Sequence, residues 1–231
     1  MDLAKISEIF LSYQGEGPFA GSRQMFVRFY GCNLDCVYCD TVQKSYKSFS
    51  KEELLGRIFN FEEDYNELSL TGGEPLLYGK FLSEFLPLFK KYKSQDVYLE
   101  TNGTLPDELE GVIGLVDVVA MDFKLPSSTG DPEKVWELHE RFARIAVRKE
   151  LIIKAVITSS TTIDDIKRMS LIIAGLNNKV CTIVLQPVTP VRGYDDEIDP
   201  EMVYYFKEYV KKSTPNNVIV LGQMHKHMGV K

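Results

Sequence analysis

The chain has 231 residues, of which 44% are hydrophobic and 26% charged. These are globular proportions with enough apolar material for a core, and they exclude disorder of the whole chain. A formal net charge of -6 lacks the basic excess that phosphate-backbone binding calls for, and no window approaches the roughly 20 apolar residues that cross a bilayer. Neither nucleic acid nor membrane is therefore expected as a partner, and the amino terminus has no basic segment followed by a long apolar stretch.

In chain order, Ile6 opens an apolar strand that runs into Tyr13-Gln14-Gly15-Glu16-Gly17-Pro18, a glycine turn on which backbone can approach a ligand closely. Met25 to Tyr30 reads as the next strand. Arg28 interrupts it, and a buried arginine needs a carboxylate or another acceptor. The strand delivers Gly31-Cys32-Asn33-Leu34-Asp35-Cys36-Val37-Tyr38-Cys39-Asp40-Thr41. Three thiolates at such spacing can converge on one metal centre and leave a coordination position open for chemistry. A structural zinc site would want a fourth ligand, but Cys181 lies in an apolar run and reads as a small core residue. A disulfide would leave one thiol unpaired. Three reduced thiolates suit a reducing cytoplasm.

After the cysteine loop, Lys44, Lys47 and Lys51 come with no acid before Glu52 and form a local positive stretch. Ser50 to Glu53 has capping-box spacing and predicts a helix to about Asn60. Leu68-Ser69-Leu70 is a strand ending in Thr71-Gly72-Gly73-Glu74-Pro75. Further strands are expected at Val97 to Glu100 before Thr101-Asn102-Gly103, at Asp117 to Phe123 before Lys124-Leu125-Pro126, at Leu151 to Ile157, at Cys181 to Leu185 before Gln186-Pro187, and at Val218 to Leu221. Helices are expected from Phe81 to Tyr92, from an Asp131-Pro132 cap to about Arg148, from Ile163 to Leu176, and from Asp199-Pro200 to about Lys212. Strand and helix alternate, which argues for parallel βαβ units. Six parallel strands would close about three quarters of a barrel, and 231 residues fall a little short of the roughly 250 of a complete eight-stranded one. No repeat or linker marks a second domain, so one domain over 1–231 is expected.

The C-x3-C-x2-C spacing resembles that of the radical SAM superfamily. The L-x-x-Q-G-E-G turn before it and the Gln-x-His-Lys near the end, Gln223 to Lys226, resemble the 7-carboxy-7-deazaguanine synthase family. This resemblance implies a partial, six-stranded parallel βα barrel of radical SAM type with trimmed helices. It also implies that 6-carboxy-5,6,7,8-tetrahydropterin is converted to 7-carboxy-7-deazaguanine with loss of ammonia, in queuosine and 7-deazapurine biosynthesis. Cys32, Cys36 and Cys39 would hold three irons of a [4Fe-4S] cluster and S-adenosylmethionine (SAM) the fourth. A radical derived from SAM would abstract and later return a hydrogen, so that SAM acts catalytically. Tyr38, Gly73, Glu74, Asn102, Asp122, Phe123, Lys124 and Gln186 would surround SAM. Tyr13, Gln14, Gly15, Glu16, Arg28 and Thr71 would contact substrate, with His225 and the α-carboxylate of Lys231 folding over it beside Gln223. Thr41 would bind Mg2+. A flavodoxin or ferredoxin would supply electrons, docking on the lysine stretch, and a homodimer is implied.

The chain departs from the family pattern where Asp122-Phe123-Lys124 replaces the Ser-Pro-Lys of many members; Asp122 still offers a carboxylate to ribose hydroxyls. Two other classes compete. An activase that installs a glycyl radical on a protein would share the cysteine loop, yet has no use for the Gln14-Gly15-Glu16 turn or Arg28. A non-enzymatic iron–sulfur or zinc module has no use for Thr71 to Glu74.

Overall fold

The computed structural model describes residues 2–41, 43–129, 135–176, 181–191 and 194–224. Strand β1 (Ala4–Tyr13) turns through the glycine-rich segment and returns antiparallel as β2 (Arg23–Phe29). A β-bulge at Ser7 sets Glu8 opposite Arg28. A short strand, β3 (Lys47–Phe49), covers the other edge of β1 in antiparallel register; nothing in its three residues predicts it. Helix α1 (Lys51–Phe59) begins on the expected capping box: the Ser50 hydroxyl accepts from the Glu53 N–H at 3.2 Å, and the Glu53 carboxylate accepts from the Ser50 N–H at 2.8 Å.

From there strand and helix alternate: β4 (Glu67–Gly72), α2 (Gly79–Tyr92), β5 (Asp96–Thr101), α3 (Pro106–Val112), β6 (Val118–Asp122), α4 (Pro126–Thr129), α5 (Val135–Ala146), β7 (Glu150–Ile157), α6 (Ile163–Ala174), β8 (Thr182–Pro187), α7 (Pro200–Ser213) and β9 (Asn217–Val220). The short helix α3 escaped the periodicity reading; Pro106 starts it and Leu109 and Val112 bury its inner face. The Asp131-Pro132 cap expected for α5 lies outside the described residues. As expected, Asp199 caps α7, accepting from the Glu201 N–H at 2.8 Å with Pro200 in the first turn.

Among the described residues nine strands form one sheet in the order β3-β1-β2-β4-β5-β6-β7-β8-β9. The six expected parallel strands are β2 and β4 to β8, and β9 pairs parallel with β8 to add a seventh. Its two faces differ in composition because side chains alternate across a strand. On β5 to β8 the odd-numbered residues Leu99, Met121, Ile153, Ala155, Ile183 and Leu185 are fully buried in the core shared with the helices. Each fully buried Leu or Ile there contributes about 1.5–3 kcal/mol, so Ile153→Ala is expected to cost roughly 2–5 kcal/mol.

Even-numbered residues take the other, concave face. Tyr98, Val118, Ile152 and Val184 form a small apolar floor; Glu100, Asp122 and Gln186 line the cleft near the carboxyl ends of their strands, with Lys154 of mid-β7 in register beside Asp122. The carboxyl end is where α/β sheets place ligand contacts. Among the described residues no helix is long and apolar enough to cross a membrane.

Candidate active site

A cleft of about 860 Å³ opens at this end of the sheet, within the range usual for small-molecule sites. Cys32, Cys36 and Cys39 all line it, and none of the three is in a disulfide. Their loop is held by steric fit and neutral hydrogen bonds. Gly72, at φ 135°, and Gly73 lie so close to the preceding strand end that an added Cβ would fall 2.2 Å from the Phe29 carbonyl oxygen and 2.0 Å from that of Gly31. Only glycine admits such an approach. Gly73 N–H donates to Phe29 C=O at 3.1 Å and Glu74 N–H to Gly31 C=O at 2.8 Å. The Gln43 amide closes the loop base, accepting from Gly31 N–H at 2.7 Å and donating to Phe29 C=O at 2.5 Å.

Asn102, at the end of β5, reaches across to the same loop. Its amide donates to Asn33 Oδ1 at 2.8 Å and lies 3.8 Å from Cys32 Sγ, while its Oδ1 accepts from Thr104 N–H and hydroxyl at 3.0 and 2.6 Å. Beneath it, buried His139 contacts the Asn102 carbonyl oxygen through Nε2 at 3.1 Å. Burial pushes the His139 pKa down to about 4, so the ring is neutral near pH 7 and Nε2 carries the proton it donates.

Two expected SAM contacts face elsewhere. Phe123 falls on the odd, helix-facing side of its strand: its ring is fully buried and packs on His139 and Trp136, with centroids 4.4 and 5.8 Å away. Glu74 is fully buried and turned away from the cleft. Its carboxylate accepts from Leu76 N–H (3.0 Å), the Thr101 hydroxyl (2.8 Å) and Asn102 N–H (2.8 Å). Burial raises its pKa to about 7 against those hydrogen bonds. Glu74 thus fixes the β5 end that carries Asn102.

Tyr38, Gly73, Asn102, Asp122, Lys124 and Gln186 do line the cleft. Tyr38 is buried, with the Lys124 ammonium 5.3 Å from its ring centre, a cation–π contact. Lys124 Nζ also pairs with Asp122 Oδ2 at 2.8 Å. Asp122 Oδ1 and Gln186 Oε1 are buried with no hydrogen-bond partner among the described residues. Two orphaned acceptors on one wall are what a ligand with hydroxyl donors would satisfy.

The turn after β1 is held by polar and charged contacts. Gln14 is buried; its Oε1 accepts from Gly15 and Glu16 N–H (2.9 and 3.1 Å), and its amide donates to Glu100 (2.7 Å) and Gln24 (3.1 Å). It therefore shapes the turn, its amide being already engaged. Glu100 also accepts from the Thr71 hydroxyl at 2.6 Å. Glu16 pairs with Lys154 at 2.5 Å and accepts from Gln223 at 2.8 Å. Burial alone would raise the Glu16 pKa, but Lys154 and Gln223 bring it below the ordinary carboxylate value. Arg28 is half-buried, pairs with Glu8 at 3.0 Å and lies over the Phe10 ring. Its Nε is thus taken by the strand partner, and its side chain still borders the cleft beside Tyr13, Gly15, Thr71 and Thr41.

Gln223 donates to Asp40 at 3.0 Å as well as to Glu16, and Met224 N–H donates to Gly15 C=O at 2.9 Å, so the segment after β9 bridges the Gln14 to Glu16 turn and the cysteine loop. His225 and Lys231 lie outside the described residues. The lysine stretch is less positive than expected, because Lys51 pairs with Glu84 at 2.7 Å. Glu100 and Lys154 went unnoticed in the sequence, although each interrupts a buried strand as Arg28 does.

Among the described residues no three His, Cys, Asp or Glu side chains are gathered tightly enough to hold a single metal ion. A cluster in which each thiolate binds a different iron makes no such demand. Three cysteines outside any disulfide, on one braced loop and all lining one cleft, fit that group.

The profile of the Radical SAM superfamily matches residues 26–169, and the chain belongs to that superfamily: it uses a [4Fe-4S] cluster and SAM. A 7-carboxy-7-deazaguanine synthase of Geobacter sulfurreducens is 34% identical over 249 aligned positions, covering 98% of this chain and 97% of the relative. The synthase of Methanocaldococcus jannaschii is 31% identical, with coverage of 97% and 99%. Within the superfamily, the chain is a member of the 7-carboxy-7-deazaguanine synthase family. Solved structures agree on the fold alone: QueE from Escherichia coli has a TM-score of 0.60 at 19% identity, covering 94% of this chain and 93% of that one, and TYW1 with a lysine-pyruvate adduct bound has 0.59 at 16%, covering 83% and 74%.

Proposed function

We propose that the protein converts 6-carboxy-5,6,7,8-tetrahydropterin to 7-carboxy-7-deazaguanine with release of ammonia, as one radical SAM domain over residues 1–231. The observation that carries this reading is the division of one cleft into a thiol-bearing wall and a charged wall that meets it at Gln223. When bound, cluster and SAM supply the radical that begins the ring contraction. The chain's own residues place the substrate and exclude water.

Cys32, Cys36 and Cys39 would ligate the cluster. Tyr38, Gly73, Asn102, Asp122, Lys124 and Gln186 would surround SAM, with the two orphaned acceptors receiving its hydroxyls. Tyr13, the Gln14 to Glu16 turn, Arg28 and Thr71 would border the substrate. Arg28 keeps donors beyond the one engaged by Glu8 for a substrate carboxylate. Glu100, which makes no ion pair among the described residues, offers a carboxylate for the amino and N–H edge of a pterin. Thr41 would hold Mg2+ completed by the substrate, since a hard cation takes oxygen ligands and retains water. A cytoplasmic homodimer reduced by a flavodoxin or ferredoxin completes the reading. Anaerobic reconstitution with SAM and the carboxypterin tests it: ultraviolet absorbance and product mass show 7-carboxy-7-deazaguanine if the reading holds, and unchanged carboxypterin beside cleaved SAM if it fails.

A further inference from the structure

We infer that Lys154 is a positioning residue that ties the turn on the substrate side of the cleft to the strand end on the SAM side, and so fixes the two ligands relative to one another. The inference rests on the reading above. Lys154 stands on the cleft face of β7, in register with Asp122 of β6. Its ammonium lies 2.5 Å from Glu16 Oε2 and 3.4 Å from Asp122 Oδ2. Glu16 belongs to the turn after β1, remote in sequence from β6; among the described residues Lys154 is the ion-pair partner they share.

Charges facing this group come from every neighbouring element. Lys124 holds Asp122 from the far side at 2.8 Å, Gln186 and Gln223 donate to Glu16 at 3.4 and 2.8 Å, and Glu100 lies close enough to act on the Lys154 charge. Mostly buried, with side-chain exposures of 22% for Lys154 and 17% for both carboxylate partners, the group is poorly screened by water. Without the ammonium, Glu16 and Asp122 would be like charges with no cation between them and would move apart. A lysine suits the task, since a compact ammonium on a long stem donates in several directions.

The sheet does not need this contact. β7 is paired along both edges with β6 and β8, and Leu151, Ile153, Ala155 and Ile157 anchor it to the helices.

Lys154→Met keeps the stem and removes the charge, and Lys154→Arg keeps the charge. For each, iron content and Tm are measured first. Equilibrium Kd values for SAM and for 6-carboxytetrahydropterin then follow by anaerobic calorimetry, with the ratio of 5′-deoxyadenosine to product in turnover. Lys154→Met is expected to keep wild-type iron content and to stay folded with a lowered Tm, to weaken both ligands at least about tenfold, and to raise the ratio as SAM is cleaved without product. Lys154→Arg should restore both affinities to within roughly threefold. Wild-type affinities in Lys154→Met overturn the inference. So does a loss of iron or folding in Lys154→Met that Lys154→Arg shares, which makes the residue structural. If wild-type enzyme binds SAM but ignores the carboxypterin, the proposed function fails, and the SAM affinities still decide the role of Lys154.

Discussion

On the cysteine side of the cleft, where SAM is proposed to bind, the loop passes over Gly72 and Gly73 at distances that admit no Cβ and is pinned by the uncharged Gln43 and Asn102 amides. On the other side the Gln14 to Glu16 turn is held by Lys154, Glu100 and Gln223, which arrive from β7, β5 and the segment after β9. Steric fit is nearly indifferent to salt and tolerates almost no substitution. Ion pairs tolerate conservative exchange but depend on every partner being present. The first wall suits a cluster whose irons must meet fixed thiolates, and the second suits a polar ligand that must enter, be held and leave.

The largest effect that would expose this contrast is at the thiols. Cys32→Ala, Cys36→Ala and Cys39→Ala should each abolish turnover and remove most of the iron–sulfur absorbance, whereas Cys181→Ala should keep both. Cys181 is buried in the helix-side core with its thiol pKa pushed up to about 11, and its loss should cost only about 1 kcal/mol of stability. A Cys181→Ala protein that folds without its cluster would contradict the assignment.

Gly73→Ala comes next, because its methyl would meet the Gly31 carbonyl oxygen at 2.0 Å, backbone that cannot move aside cheaply. Iron content after reconstitution should fall to roughly a tenth or less, and the cost should be at least about 2 kcal/mol. Thr71→Val, on the charged wall beside it, should leave iron content intact and raise KM for the carboxypterin. Equal iron loss in both would erase the distinction between the walls.

Two buried groups under the SAM wall give opposing pH dependences. His139 titrates near 4 in the fold against 6.5 in the open chain, so its neutral form must be kept, and stability is lost as pH falls from 6.5 towards 4. Glu74 titrates near 7 against 4.5, so its contribution is full below 4.5 and is lost as pH rises towards 7. Each window is worth about 3 kcal/mol, and the two nearly cancel between pH 4.5 and 6.5. In urea unfolding across this range, His139→Gln should lose stability with rising pH and Glu74→Gln should gain it. Parallel curves for the two variants would show that neither shift is real.

The smallest effect lies at the rim. Charge reversal of Lys44 and Lys47 should slow flavodoxin-driven turnover at low salt a few-fold and leave dithionite-driven turnover unchanged. Lys51, already paired with Glu84, should add little, and equal slowing with both reductants would argue against docking there.

The cysteine spacing, the glycine pair and the alternation of strand and helix were legible because each is written in neighbouring residues. Phe123 and Glu74 misled for a physical reason: period-2 alternation puts Phe123 on the helix face between Asp122 and Lys124, and a carboxylate after two glycines can as well turn inward to cap Leu76 and Asn102. Glu100 and Lys154 were overlooked, although as charges in apolar strands they carry the same signal that singled out Arg28. Their partners, 86 and 138 residues away at Gln14 and Glu16, are brought by the fold and leave no local pattern to read.

The most direct test of a cleft with a cluster wall and a substrate wall is single-turnover reaction of the reduced, reconstituted enzyme with SAM and carboxypterin deuterated at the carbon bearing the carboxylate. The account predicts deuterium in recovered SAM together with 7-carboxy-7-deazaguanine of the expected mass. Cleavage of SAM with no deuterium transfer and no change in the pterin would contradict it.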